Sequence, residues 1–378
     1  KMKKILWLTN IPSPYRVAFF NELGKECDLE VIFEAEKAPK INTDWYKDNN
    51  ILNFTPVFLK KGIIEEKKIN LKILKYVNKD SDLLIFTNYS YFTEMFALIV
   101  AKILRKKYIL QIDGGIISYS ESFFKKRLKK FLISNAYCYL SPSKESDNFL
   151  IYYGALKKKI NRYYFTSLYQ NDIIECPVEK KDKQKIKKEL MVNERKIILS
   201  VGQFIYRKGF DWMIDAYKNL DKEIGIYIIG GAATQEYLNL KNKHKMDNLH
   251  FIDFMDKNEI LKWYRAADLF VLPTREDIWG LVINEALSQG LPTVTTDKCV
   301  AGLELIVNKK NGFIVKCEDE KSLLQITESF FEKSESDIFL MKKEALSIIK
   351  KYTIENMAKK YNLAYYVKEG KSDICDDW

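Results

Sequence analysis

Leu272-Pro-Thr-Arg-Glu-Asp-Ile-Trp-Gly-Leu-Val-Ile-Asn-Glu-Ala-Leu-Ser-Gln-Gly-Leu-Pro292 is the stretch from which the fold can be read. An apolar run ends at Pro273, and from Gly280 to Gln289 apolar residues recur at helical spacing until Gly290 stops them. The pattern is a strand, a turn and a helix. Seven residues separate Asp277 from Glu285, so one carboxylate falls in the turn and the other more than one turn inside the helix. The backbone N–H groups of the helix start, Gly280, Leu281 and Val282, lie between them. Ionised carboxylates accept hydrogen bonds from sugar hydroxyls, at roughly 1.5 to 3 kcal/mol for each charge-assisted bond. A helix N-terminus attracts phosphate oxygens. The spacing suits a hydroxylated ligand joined to a diphosphate; a capped helix start with two solvated acids produces the same spacing.

The same rhythm extends in both directions. Strand candidates are Ile5 to Thr9, Leu29 to Phe33, Leu83 to Phe86, Tyr108 to Ile112 and Tyr137 to Leu140, then Ile197 to Val201, Ile226 to Ile229, His250 to Ile252, Leu269 to Leu272 and Thr293 to Thr295. Amphipathic stretches such as Ser13 to Leu23, Tyr91 to Leu104 and Lys144 to Tyr153 lie between them. Continuous Val/Ile/Leu strands separated by helices predict α/β architecture with parallel sheets covered on both faces. A length of 378 residues allows two or three domains. The Lys-rich segment Asn171 to Asn193 is the expected linker, giving an N-terminal domain over 1–172 and a C-terminal one over 173–354. Ligands of open parallel sheets bind at the strands' C-terminal edges. Lys342 to Val367 reads as one helix and Asp373 to Trp378 as a frayed tail.

With 47 % apolar and 30 % charged residues the composition is that of an ordinary globular protein. The most apolar window, Phe92 to Leu104, contains Glu94 and Lys102, so a transmembrane helix is not expected. The first apolar run ends at Asn10 and reads as a strand, without a signal-peptide pattern. Six scattered cysteines without Cys-x-x-Cys spacing, and only two histidines, His244 and His250, argue against a zinc or redox site and for reduced thiols in the cytosol. The net charge of +11 is uneven: residues 1–175 hold 29 Lys and Arg against 19 Asp and Glu, and the remainder 33 against 32. An anionic surface is therefore the expected partner of the first half.

The quoted stretch closely resembles the acidic signature of the retaining family-4 (group 1) glycosyltransferases of the two-domain GT-B fold. The resemblance implies two doubly wound, Rossmann-like domains facing across a cleft, with a last helix, about 355–378, packing back on the first domain. It places Asp277 on the acid that contacts the transferred sugar and Glu285 on the acid that holds the ribose. The family usually has Glu at the first position.

Ser200-Val-Gly-Gln-Phe-Ile-Tyr-Arg-Lys-Gly209 ends one strand and opens a helix. Gly202 lets the backbone turn close to a ligand, and Lys208 at the helix start can neutralise a diphosphate; an ordinary turn with two surface cations fits equally. The segment resembles the family's Gly-Arg-x-x-x-x-Lys-Gly phosphate motif, with Lys208 as its lysine, Gln203 where Arg is usual, and Arg207 as a substitute cation. Ile228-Ile-Gly-Gly231 corresponds to the glycine loop against the nucleotide, through Gly230, and Asn248 to Met255 to the strand and loop lining the base, through Phe254. Ile278 and Trp279 complete the expected donor-binding set. His250 reads as structural.

In the first domain, Ile11-Pro-Ser-Pro-Tyr-Arg16 follows the first strand, and Gln111-Ile-Asp-Gly-Gly115 ends another in a turn. Pro14, Tyr15, Arg16, Asp113 and Gly114 are the candidate acceptor-side residues, with Asp113 accepting a hydrogen bond from the incoming hydroxyl; an ordinary Asp-Gly-Gly turn is the alternative. Phe123-Phe-Lys-Lys-Arg-Leu-Lys-Lys-Phe-Leu132 predicts a basic amphipathic helix with Phe124, Leu128 and Phe131 on one stripe. Its expected arrangement is a stripe packed on the sheet with cations outward, compatible with docking on anionic lipid. Lys157-Lys-Lys159 and Arg162 add charge nearby. No nucleic-acid recognition module accompanies it.

The resemblance implies transfer of a sugar from a nucleotide diphosphate, a UDP-sugar before a GDP-sugar, to a hydroxyl of a lipid-linked saccharide in surface-polysaccharide synthesis. Retention of configuration and no metal or cofactor are expected, with the enzyme on the cytoplasmic face of the inner membrane. Two rivals share the fold: a nucleotide-sugar 2-epimerase, whose family uses a catalytic histidine where this chain has none before residue 244, and a degenerate nucleotide-sugar-binding protein docked on the membrane.

Overall fold

A computed structural model describes residues 3–37 and 52–366 of the chain. Val367, Cys375 and the tail Asp373 to Trp378 lie outside the described residues. The chain forms two compact units, one made of the residues up to Ser167 with those from Tyr352 onward, the other of Leu168–Lys351.

In the first unit seven strands form one parallel sheet: β1 Lys4–Thr9, β2 Asp28–Lys37, β3 Thr55–Ile63, β4 Leu83–Thr87, β5 Tyr108–Gln111, β6 Cys138–Ser141 and β7 Ile160–Arg162. The connecting helices are α1 Pro14–Leu23, α2 Ile73–Val77, α3 Phe92–Ile103, α4 Phe123–Ile133 and α5 Lys144–Tyr152. The sheet order, β3-β2-β1-β4-β5-β6-β7, reverses direction between β1 and β4. Every residue of β4, β5 and β6 is buried, which is why these strands read as uninterrupted apolar runs.

The second unit contains α6 Lys180–Glu189, β8 Lys196–Val201, α7 Phe210–Tyr217, β9 Ile224–Ile229, α8 Gln235–His244, β10 Leu249–Ile252, α9 Lys257–Ala266, β11 Leu269–Leu272, α10 Leu281–Ser288, β12 Thr293–Thr296, α11 Val300–Leu305, β13 Gly312–Val315, α12 Glu320–Phe331 and α13 Glu335–Ile349. Its six parallel strands run β10-β9-β8-β11-β12-β13 and reverse between β8 and β11. In open parallel sheets such a reversal opens a crevice at the strands' carboxyl ends.

Two expectations change. The segment expected as a linker holds α6, which packs on α9 and is tied to the β11 strand start by Lys183 and Lys187 on the Asp268 carboxylate. The helix expected over Lys342 to Val367 is two helices. The first, α13, stops at Ile349, and Thr353 caps α14 Ile354–Tyr366, its hydroxyl accepting from the Asn356 N–H at 3.2 Å and its carbonyl from the Met357 N–H at 2.8 Å. α14 packs against α1, where the Tyr361 ring lies 4.8 Å from Phe19 and 5.3 Å from Trp7.

Candidate functional site

The turns after β8 and β11 flank the reversal in the second unit, and each delivers one charge. Lys208 stands in a single 3-10 turn, Tyr206–Lys208, before α7. Asp277 stands in the loop between β11 and α10. Their side chains meet, Lys208 Nζ donating to Asp277 Oδ2 at 2.6 Å, and Arg207 Nη1 approaches the other oxygen at 3.6 Å. Arg207 also donates to the Glu276 carbonyl at 2.8 Å and is exposed. One buried carboxylate is thus bracketed by two cations.

The glycines explain how the turns come so close. A Cβ on Gly202 would stand 3.3 Å from Cε of Lys208, so the bare backbone leaves the channel along which the lysine stem runs. A Cβ on Gly230 would fall 1.7 Å from the Gly202 carbonyl oxygen, because the turns after β8 and β9 touch backbone to backbone. Gly280 has φ of +102°, a left-handed conformation that favours glycine. It begins α10, whose start has no side-chain cap; first-turn N–H groups have no partners within the helix, so Leu281 and Val282, half-buried, offer theirs outward.

The Asp277 loop is pinned from behind. Asp277 N–H donates to the Lys298 carbonyl at 2.9 Å, Val300 N–H to the Asp277 carbonyl at 3.2 Å, and Ala301 N–H to the Trp279 carbonyl at 2.9 Å. The Cys299 thiol donates to the Trp279 carbonyl at 3.1 Å. Burial, with the Asp277 charge beside it, pushes this thiol up to about 12, so it stays protonated and is no nucleophile. One helical turn further on, half-buried Glu285 accepts from the Tyr264 hydroxyl at 3.0 Å. Burial, reinforced by Glu285, raises Tyr264 well above its ordinary range and keeps it a donor.

Residues 181–344 match the family model described as glycosyl transferases group 1. Over these residues the chain is similar to the group 1 glycosyl transferases. An uncharacterized glycosyltransferase of Haemophilus influenzae is 33 % identical over 138 residues, 35 % of this chain and 38 % of that protein. The chain covers less than half the length of the first curated relatives it matches. The N,N'-diacetylbacillosaminyl-diphospho-undecaprenol alpha-1,3-N-acetylgalactosaminyltransferase of Campylobacter jejuni is 21 % identical over 78 % of each chain. Among solved structures, Anabaena HepE in complex with UDP superposes with a TM-score of 0.77 at 17 % identity, covering 96 % of this chain and 99 % of that one. The fold is GT-B.

The expected donor residues all lie at the C-terminal edge of one sheet: Gly202, Gln203, Arg207 and Lys208 after β8, Gly230 after β9, Phe254 after β10, and Asp277 to Glu285 after β11. Gln203, Phe254 and Ile278 are exposed there. The Trp279 indole is buried and donates to Asn284 Oδ1 at 2.9 Å. His250 is structural, stacked on Tyr227 with ring centres 4.5 Å apart and bonded through Nε2 to Glu194.

On the candidate acceptor side, Arg16 and Asp113 form a buried ion pair within the first unit, 2.5 Å apart. Gln111 Nε2 donates to the second Asp113 oxygen at 3.2 Å. Both oxygens are thus engaged, and an incoming hydroxyl would have to compete with Arg16. Pro14 is exposed, and Tyr15 and Gly114 are half-buried around this pair.

The stripe on α4 is the largest difference. Phe124, Leu128 and Phe131 are 82, 46 and 51 % exposed, and Phe123 69 %; the residues that α4 buries are Leu132 and Ile133. Arg162 is paired with Asp147 at 2.9 Å, so it adds little free charge. Sequence reading passed over Arg275 and Tyr264, whose partners come from distant elements; Arg275 stood inside the stretch quoted above, its signal masked by the acids beside it.

Proposed function

We propose that the protein transfers a sugar from a nucleotide diphosphate, UDP before GDP, to a hydroxyl of a lipid-linked saccharide, with retention of anomeric configuration, during assembly of a capsule, exopolysaccharide or lipopolysaccharide. The observation that carries this reading is the convergence of Lys208 and Arg207 on Asp277 beside the uncapped start of α10. A donor diphosphate would take up the two cations and the Leu281 and Val282 N–H groups, while Asp277 turns to the sugar hydroxyls and Glu285 to the ribose. The bond from the anomeric carbon to the diphosphate oxygen breaks with its electron pair on the phosphate. The acceptor oxygen bonds the same face of that carbon and passes its proton to the departing phosphate. Preorganised cations and dipoles supply the charge stabilisation here, often the largest catalytic contribution, and a metal is not required by this scheme. HepE was solved with UDP, and the Campylobacter relative is named for a diphospho-undecaprenol acceptor, which supports the donor and acceptor classes proposed.

The acceptor class fits α4. Its exposed phenylalanines stand among the exposed cations Lys125, Arg127 and Lys130. Lys102 from α3 donates to the Ser134 carbonyl at 2.7 Å, so exposed Ile103 and Leu104 adjoin the end of α4. Apolar rings to enter the lipid boundary with cations to meet anionic headgroups describe a peripheral membrane surface. Among the described residues no helix is long and apolar enough to cross a membrane.

The test is turnover by the purified chain with a panel of UDP- and GDP-sugars and a diphospholipid-linked saccharide. An α-linked product from an α-linked donor, resolved by NMR, is expected. An inverted product overturns the retaining mechanism, and absence of transfer with every donor overturns the enzyme.

A further inference from the structure

Four segments of the second unit meet at the guanidinium of Arg275, which has no part in the scheme above. From the turn after β8, the Tyr206 carbonyl accepts from Nη1 at 2.7 Å and the Tyr206 ring lies 3.9 Å from the guanidinium carbon. Asp211, in the first turn of α7, accepts two parallel bonds at 2.8 and 2.7 Å. Glu318, after β13, accepts from Nε and is held with φ of +63°, a conformation uncommon for a residue with a side chain. The fourth segment is the loop of Arg275 itself. Its backbone N–H donates to the Arg207 carbonyl at 2.8 Å, where the Thr274 hydroxyl donates too, at 2.9 Å.

The consequence falls on Lys208. The turn Tyr206–Lys208 buries none of its own residues, so apolar packing does not hold it. What holds it is the grip on the Tyr206 and Arg207 carbonyls from residues 274 and 275, closed by the Lys208 N–H on the Ile205 carbonyl at 2.9 Å. A planar fork that pairs with one carboxylate, reaches a second and stacks on a ring cannot be copied by an ammonium. The same fork pairs with both the Asp211 and the Glu318 carboxylates.

We propose that Arg275 is a positioning residue for the donor diphosphate: acting through the Tyr206–Lys208 turn, it sets where the Lys208 ammonium stands without touching the ligand. This rests on the nucleotide-sugar reading. A double-mutant cycle read by calorimetry with UDP tests it. Arg275→Lys should weaken UDP binding about tenfold when Lys208 is present and less than about twofold in a Lys208→Ala background, because the two residues act as one unit. Glu318→Gln, which keeps the Asp211 pair and so the fold, should show a smaller loss of the same kind and carries the comparison if Arg275→Lys does not fold. Equal losses in both backgrounds, with UDP bound by the parent, overturn the positioning role alone. A parent that binds neither UDP nor GDP overturns the nucleotide-sugar reading and this role with it.

Discussion

Lys208 Nζ lies 2.6 Å from Asp277 Oδ2, joining the turns that follow β8 and β11, the two strands between which the second sheet reverses. An anion therefore already rests on the cations that a diphosphate would need, and a bound donor must redistribute this pair rather than fill an empty pocket. Arg207, on the other Asp277 oxygen, is placed to compensate as Lys208 turns to phosphate.

Replacing Lys208 by Ala removes the less exposed of the two cations. Loss of one preorganised stabilising group costs about 10²- to 10³-fold in turnover, and that drop is expected here with UDP-sugar donor. Asp277 keeps Arg207, so the domain should still unfold cooperatively in a thermal melt, with a modestly lower midpoint. Unchanged turnover would remove Lys208 from the mechanism.

Glu285 is assigned to the ribose, and the Tyr264 hydroxyl fixes its carboxylate from behind. A site built to bond a hydroxyl discriminates against analogues that lack it. The parent should bind UDP several-fold more tightly than its 2′,3′-dideoxy analogue, and Glu285→Ala should bind both alike. Tyr264→Phe should raise the donor KM while kcat stays within about twofold, since a bond to a charged group contributes about 1.5 to 3 kcal/mol. If Glu285→Ala keeps the preference for intact ribose, another group reads the sugar edge.

The fold was legible in the sequence wherever strands are central. The strands that escaped notice, β3, β7 and β13, stand at three of the four sheet edges. An edge strand is paired on one side only and tolerates residues that a central strand does not: β3 carries Pro56, Lys60 and Lys61, β7 is Ile-Asn-Arg, and β13 is four residues opening with Gly312. Site residues fixed by local spacing, such as Lys208 before α7 and Asp277 before α10, were readable because the chain itself carries them to the sheet edge. Arg275 was not, since its meaning depends on Asp211 and Glu318 arriving from other elements. The α4 stripe shows a further limit: periodicity told which residues share a face, but whether that face is covered is settled by tertiary packing, which leaves it bare.

A buried acid pair sets the response of the first unit to pH. Glu94 Oε2 caps α3 by accepting the Ser90 and Tyr91 N–H groups at 3.1 and 3.2 Å, while its Oε1 and the Oε1 of Glu34 are buried with no hydrogen-bond partner. Burial raises both carboxyls far above their ordinary range; for Glu94 the Glu34 charge adds to this, and Arg16 opposes it. Raised folded-state values mean that the folded protein binds protons which the unfolded chain has released. The stability from this pair is complete below the ordinary carboxyl range and is lost as pH rises through neutrality. Glu94→Gln removes one of the two charges. Its stability relative to the parent should improve between pH 5 and pH 9 by at least about 1.4 kcal/mol, the equivalent of one pKa unit, measured by denaturant unfolding. A difference independent of pH would show that the carboxyls are ionised throughout.

The bare face of α4 makes a prediction that separates a membrane surface from an accident of packing. Phe123 and Phe124 stand 69 and 82 % exposed, so replacing both by Ser withdraws no core contact and should leave the thermal midpoint within a degree or two. Burying a phenylalanine in an apolar medium contributes roughly 1.5 to 3 kcal/mol, so the double variant should sediment with phosphatidylglycerol vesicles at least about tenfold less well. Charge reversal at Lys125 and Arg127 should act differently. It should abolish the preference for anionic over phosphatidylcholine vesicles and the sensitivity to salt, because exposed charges are screened within about 10 Å at 0.1 M. A parent that sediments equally with neutral and anionic vesicles, at low and high salt alike, would sink the electrostatic half of the docking surface; one that ignores vesicles altogether would sink both halves and leave the exposed rings to be covered by another protein.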